Sequence, residues 1–422
     1  MSSAALSVAG RPLGVMGDPD TQRLLGAAHA RHVRPLCECR QPGVPMYVAA
    51  TSSGFVVKRM PGSGSAHAAD CASWEPPPGI SGLSQVLGEA ICDDPDAGHT
   101  TLRLGFPLSA GGGRAAPEVS GESAAESVAT DGSKLTMRAL LHYLWDEAGL
   151  TSWTPKMAGK RNWRVVSWHL RRAADGKITT RHPLGQKLYI PEPFDAARRA
   201  QISSRRMALW SKVRAVPGKP VPLLLLVGEV KAIEEVRGRH RLAIKHVPDT
   251  PFLLADDVHK RLYKHFGEVI ERWEADERSH LMVIASFSVS AAGIASITRM
   301  SPMLVDEHWL PTESAYTELL LDTAVSEHRR FRVGLRYNLA AEVASAAAVF
   351  TDTEPPTAAF LVTAPAGADE LDDGDNQAND SKEATVVDDY RDLLGEAAMT
   401  VWEWNTLAEM PALPAPTTHH HP

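Results

Sequence analysis

The chain is short of cysteine, long apolar runs and any leader-like start, and each shortage removes a class of answer. Four cysteines in 422 residues, three of them inside one short window, cannot build a disulfide framework and fit reduced thiols better. The longest apolar stretch, residues 281–297, is shorter than the ~20 residues of a membrane helix. It is also interrupted by Ser286, Ser288, Ser290 and Ser296. The opening Met1–Arg11 lacks both the basic lead and the apolar core of a signal peptide. A cytoplasmic protein without a membrane partner is expected.

Charge is unevenly spent. The net charge is -7, yet residues 134–219 hold 18 Lys/Arg against 5 Asp/Glu, whereas 369–396 hold 11 Asp/Glu against 2 Lys/Arg. The first region suits a polyanion and the second suits water. Residues 109–132 are Gly, Ala, Ser and Glu with almost no large apolar side chain, so they cannot bury enough surface to order themselves. They mark a linker at 109–133. Six segments follow: a lead-in at 1–30, a metal module at 31–108, that linker, a basic domain at 134–216, an α/β domain at 217–363 and an acidic tail at 364–422.

Cys37, Cys39, His67 and Cys71 form a C-x-C…H-x-x-x-C constellation. Three thiolates and an imidazole are the ligand set of a closed tetrahedral structural Zn2+ site, and a hairpin between the pairs would bring them together. His32 and His99 are alternative fourth ligands; Cys92 reads as a spare buried thiol. The module is expected to be zinc-ribbon-like.

In the basic domain, Leu141, Leu144, Trp145 and Ala148 make the stripe of one helix that starts near Ser133 or Thr136 and stops at Gly149. Asn162 is placed to cap a second helix. Its Trp163, Val166, Ser167 and Leu170 share one face, and Arg164, Trp168, Arg171 and Arg172 occupy the rest. Residues 177–180 and 187–190 read as a hairpin, giving the helix, helix, hairpin order of a winged helix. Lys156, Lys160, Arg161, Trp163, Arg164, Trp168, Arg171 and Arg172 are the candidate nucleic-acid contacts, guanidinium groups meeting phosphates and an indole meeting a base.

Two patterns invite a nuclease reading. Glu229 and Lys231 at the end of an apolar run would share one face of a strand, where a carboxylate holds a divalent cation and an ammonium supports the scissile phosphate. Glu192 and Asp195 are poor upstream partners, lying before a helix-like stretch and a boundary. Further on, Glu318 in a helix, Asp352 after a strand-like run and the run at 358–362 look like the PD-(D/E)xK nuclease core. Ala359, Phe360 and Leu361 stand where that core needs an acid and a lysine, so the resemblance implies a nuclease-like fold without catalysis.

Several long segments carry a wider resemblance: Arg34–Tyr47, Lys58–Pro61 with His67 and Cys71, Leu140–Trp145, Met157–Trp163, Leu188–Phe194, Leu226–Lys231 and Gly334–Leu339. Over about 30 to 410 the chain is similar to a bacterial family known only as domain of unknown function 1173. The resemblance implies an accessory factor of plasmids and integrating conjugative elements, and supplies no catalytic residue.

The expectation is thus a mixed α+β and α/β multidomain chain: a zinc-stabilised protein binding DNA or a nucleoprotein complex. A divalent-metal-dependent nuclease is one alternative. The other is a protein-binding scaffold anchored by exposed Trp402 and Trp404, which with Met410 would dock back from the tail.

Overall fold

The computed structural model describes residues 5–111, 132–179, 182–340, 343–362, 390 and 392–417. Most of the linker at 109–133 and the stretch 363–389 of the tail lie outside the described residues. The chain is mixed α+β and divides into two compact units, each assembled from separated stretches. One holds residues 1–101, 151–157 and 314–422; the other holds 102–150 and 158–313.

The first unit contains two five-stranded sheets. In one, Leu36–Cys37 pairs antiparallel with Val44–Thr51, which turns back as the hairpin strand Gly54–Arg59. The helix Pro19–Ala30 buries Leu25 and Ala28 against this sheet, and the Asp18 carboxylate caps its start. The other sheet joins Ser152–Trp153, Phe331–Val333, Ala346–Phe350, Thr357–Val362 and Thr400–Asn405. The last pairing is parallel, so the C-terminal stretch is part of the fold. Cys37, Cys71, Val44 and Met46 share one core with Ala346, Val349, Ala358 and Phe360. The segment 31–108 therefore shares its core with the C-terminal sheet.

The second unit is built around a closed barrel. Its strands are β1 (Leu224–Val236), β2 (Arg239–Ile244), β3 (Phe252–Leu254), β4 (His280–Val289) and β5 (Ala295–Val305). The N-terminal half of β1 pairs with β4 and its C-terminal half with β2. β2 pairs with β3, β3 runs parallel to β5, and β5 pairs antiparallel with β4. The circuit 1-2-3-5-4-1 closes, which leaves these five strands without a free edge. β1 can serve both neighbours because it bends at a register shift between Val230 and Ala232, and Gly228 lets it approach Ile244 closely.

Four helices of this unit matter here: α1 (Met137–Glu147), α2 (Trp163–Ala174), α3 (Arg199–Ser211) and α4 (Asp256–Ala275). Thr136 caps α1 through the Ala139 N–H and Asn162 caps α2 through the Val165 N–H, as their positions in the sequence predict. α4 connects β3 to β4. A five-stranded barrel with this strand order and a helix between the third and fourth strands has the connectivity of the OB-fold. Its core is aromatic: Trp210 from α3 sits among Phe252, Phe287 and Tyr189, with ring centroids 5.2–5.6 Å apart for Phe252–Phe287, Trp210–Phe287, Trp210–Phe252 and Tyr189–Trp210.

The expected winged helix is not formed. Leu188–Tyr189, read as the second wing strand, pairs parallel with Leu225 and Leu226 of β1 instead of folding back on Lys177–Thr179. A continuous apolar β1 is a stronger template than a polar three-residue strand.

Candidate metal centre and nucleic-acid surface

The four predicted ligands converge. Cys37 ends a short strand, the His67 N–H closes a 3-10 turn onto the Gly64 carbonyl, and the Cys71 N–H donates to Ala68 O. Their ligand atoms all lie within 4.8 Å of one another. Cys37 Sγ is 3.6 Å from Cys71 Sγ, and His67 Nδ1 is 3.4 Å from Cys39 Sγ and 3.8 Å from Cys71 Sγ. Bonds of ~2.3 Å to sulfur and ~2.0 Å to nitrogen place tetrahedral ligands about 3.5–3.8 Å apart, so the set fits a single ion. His32 and His99 stand outside the cluster, as does Cys92, which is half-buried with its Sγ on the Gly88 and Glu89 carbonyls.

Burial sets the protonation of three of the four ligands. Burial pushes the Cys37 thiol up to about 12 and raises Cys71 as well, so both are neutral thiols until an ion displaces their protons. Burial, helped by Arg59 and Arg40, lowers the His67 pKa and keeps its lone pair available. The Ser73 N–H donates to Cys71 Sγ at 3.4 Å, a hydrogen bond that orients the sulfur and would support it as a thiolate. Arg59 and Arg332 both pair with Glu75, and Arg332 also holds Trp74 O, which pins the loop after Cys71.

The basic helix α2 divides cleanly. Trp163 is buried and donates its indole N–H to Pro191 O. Arg161 donates to Leu150 O and His308 O, and burial lowers its pKa to about 10. Arg171 donates to the Ile190 and Pro191 carbonyls, and burial lowers its pKa too. These three hold the fold. Arg164, Trp168 and Arg172 lie at i, i+4 and i+8 on the exposed face; Trp168 is 50% exposed, with the Arg172 guanidinium 4.6 Å over its ring. Lys160 is exposed in the same unit, and Lys156 is exposed in the other.

A second surface escaped the sequence reading. His240 of β2 stacks on His259 of α4 with centroids 3.5 Å apart, and His259 touches Tyr263 at 4.7 Å. Tyr263 is 39% exposed. Arg237 and Arg239, exposed at the β1–β2 turn, and Lys260 and Lys264, exposed on α4, belong to the same two elements as the rings. The sequence signal was the run Arg237-Gly-Arg-His-Arg241, but only folding adds the rings of a helix some twenty residues away.

Glu229 is buried and committed. Lys245 Nζ and His280 Nδ1 each lie 2.7 Å from its Oε1, and His246 Nε2 lies 3.9 Å from Oε2. Burial alone would raise its pKa, but the hydrogen bonds from His280 and Lys245 outweigh it and hold the carboxyl below its ordinary value. Lys231 is exposed and sits at the register shift in β1, where simple alternation of faces fails. Glu192 and Asp195 pair with Arg205 and Arg198. Asp352 takes the Arg329 guanidinium in a fork, Nε to Oδ2 at 3.0 Å and Nη2 to Oδ1 at 2.9 Å, and accepts the Arg330 N–H. Glu318 lies in the first turn of the helix Ala315–Ser326. Trp404 is buried and Trp402 half-buried with its indole N–H on Ala412 O, which removes them as exposed anchors.

Fold and site together define a two-unit protein that carries, in one unit, a Cys3His cluster with the geometry to hold a metal ion and, in the other, a closed barrel with OB connectivity. The chain belongs to the family described as Protein of unknown function (DUF1173), whose model matches residues 12–392. No curated protein and no solved structure matches it. Among the described residues, no helix is long and apolar enough to cross a membrane.

Proposed function

We propose that the protein is a zinc-stabilised nucleic-acid-binding factor that holds single strands on its barrel unit. The observation that carries this reading is the His240–His259–Tyr263 stack beside the basic β1–β2 turn of a barrel with OB connectivity. In that architecture the second and third strands and the turn between the first two are where oligonucleotides lie. Exposed rings give every base a π-face, and unpaired guanidinium and ammonium groups give the backbone its counter-charge. The α2 stripe Arg164–Trp168–Arg172 supplies a second contact of the same kind.

Zinc is the metal of the reading because three thiols and one imidazole suit it, and four protein ligands leave no position for a hydrolytic water. The composition favours a cytoplasmic setting, the basic region favours DNA or a nucleoprotein complex as partner, and bacterial mobile elements are the context the family resemblance implies. The test is titration of labelled single-stranded and duplex DNA over a series of salt concentrations. The single strand binds more tightly, and substituting Arg237, Arg239 and Tyr263 together weakens it and flattens its salt dependence. Wild-type binding by that variant sinks the reading.

A further inference from the structure

We propose that the cavity walled by Arg171, Arg205 and Arg206 in the barrel unit is a binding site for a small phosphate ester of nucleotide size. The cavity holds about 370 Å³ and lies among α2, α3 and the strand Leu188–Tyr189. That volume falls in the range of pockets that enclose small organic ligands, ~300–1,000 Å³, and exceeds the needs of a bare ion.

Its lining is built for an anion joined to an apolar body. Three arginines line it: Arg205 forks Glu192 at 2.7 and 2.5 Å and Arg206 pairs with Asp249, which leaves Arg171 as the lining cation without an ion pair among the described residues. Arg206 is 5% exposed and fixed by three acceptors: Asp249 Oδ2 at 2.9 Å, and Ser203 Oγ and Thr250 Oγ1 at 3.1 Å. Its Nε has no hydrogen-bond partner among the described residues and is closed off from the cavity, so Arg206 contributes charge to the wall and not a donor from that atom. Arg171 donates to neutral groups alone, two backbone carbonyls and the Ser167 hydroxyl, so no carboxylate offsets its charge by direct contact. Such planar forks match phosphate oxygens two at a time. Ile202, Leu209 and the Tyr189 ring supply the apolar wall for the rest of the ligand. Burial already lowers the Arg171 pKa, and an anion placed beside the guanidinium would relieve that strain on its charge.

This site shares no residue with the His240–Tyr263 surface and stands whether or not that surface binds a strand. The ester can arrive as a free nucleotide or as the 5′ end of a strand, and calorimetric titration of the full-length protein separates them. The probes are uridine, UMP, AMP, inorganic phosphate, and a trinucleotide with a 5′-phosphate or a 5′-hydroxyl. UMP or AMP is expected to bind and uridine to give no heat. A 5′-phosphorylated trinucleotide that matches the mononucleotide assigns a strand end, and one that binds far more weakly assigns a free nucleotide; either supports the site. Arg171→Gln is expected to weaken binding by about tenfold or more through loss of a charge-assisted fork. Gly185→Phe is expected to do the same by filling the cavity, since a Cβ at Gly185 meets open space and the change removes no hydrogen bond. Absence of heat with every phosphorylated probe at millimolar concentration overturns the proposal. So does unchanged binding in both variants, each checked for wild-type melting.

Discussion

The metal cluster and the barrel solve the same problem, how to hold a rigid surface, by opposite means. Around the cluster, two thiols and an imidazole are themselves buried core residues, packed with Val44, Met46 and Trp74. Without an ion these are polar groups taken from water, and His67 Nε2 has no hydrogen-bond partner among the described residues. The barrel instead buries Trp210, Phe252, Phe287 and seventeen further apolar side chains in one cluster that contains none of the four candidate metal ligands. The difference teaches where each unit is vulnerable: the first to chelation and oxidation, the second to cavities.

Four expectations follow from that contrast, from the largest effect down. On the zinc assignment proposed above, treatment with a chelator, or Cys71→Ser, should cost the first unit most of its stability. Structural zinc contributes apparent binding free energies of about 10–16 kcal/mol in small domains, though the core shared with the C-terminal sheet will leave part of the fold standing. Two melting transitions, with the lower one alone shifting, would be the calorimetric sign. The reverse experiment is Trp210→Ala, which should destabilise the barrel by about 3–5 kcal/mol while metal content stays unchanged. If metal is lost as well, the two units do not hold their structures separately.

Next comes Asp352→Asn. It removes the close fork from the Arg329 guanidinium, 2% exposed, leaving only Glu327 at 3.9 Å, and should destabilise the first unit by about 3 kcal/mol in urea titration. A neutral effect would revive Asp352 as a functional carboxylate. The smallest effect is on acidification of the second unit. His246, held low by burial, and Glu229, held low by its hydrogen bonds, both take up protons more readily when unfolded. Their stabilisation is complete above the ordinary values of 6.5 and 4.5. It declines as pH falls below 6.5 for His246, then below 4.5 for Glu229. Glu229→Gln should flatten the lower part of that decline and, by removing the carboxylate that raises His246, carry the upper part to lower pH.

Local features of the sequence proved informative and long-range ones did not. The Cys/His spacing, the cap Asn162, the choice of Thr136 or Ser133 for the other cap and the two faces of α2 are written in neighbouring residues, where periodicity and capping act. Barrel closure depends on Leu224–Glu229 finding Met282–Phe287, and a continuous apolar run does not say which strand it will meet. The same limit explains the false wing at Leu188–Tyr189 and the unforeseen Arg329–Asp352 fork. It also explains why all eight basic-domain residues looked alike as contacts. Hydrogen bonds to backbone carbonyls distant in sequence, which separate Arg161, Trp163 and Arg171 from Arg164, Trp168 and Arg172, are decided by the folded chain around them.

The most direct measurement of the central claim is binding of a labelled single-stranded oligonucleotide by the zinc-loaded full-length protein across a salt series. The account predicts that log K falls linearly with log salt, with a slope of about −0.7 for each phosphate neutralised, and that substituting Arg237, Arg239 and Tyr263 together lowers both affinity and slope. A folded, metal-loaded protein that binds no strand at low salt, or a triple variant that binds as the wild type does, would contradict it.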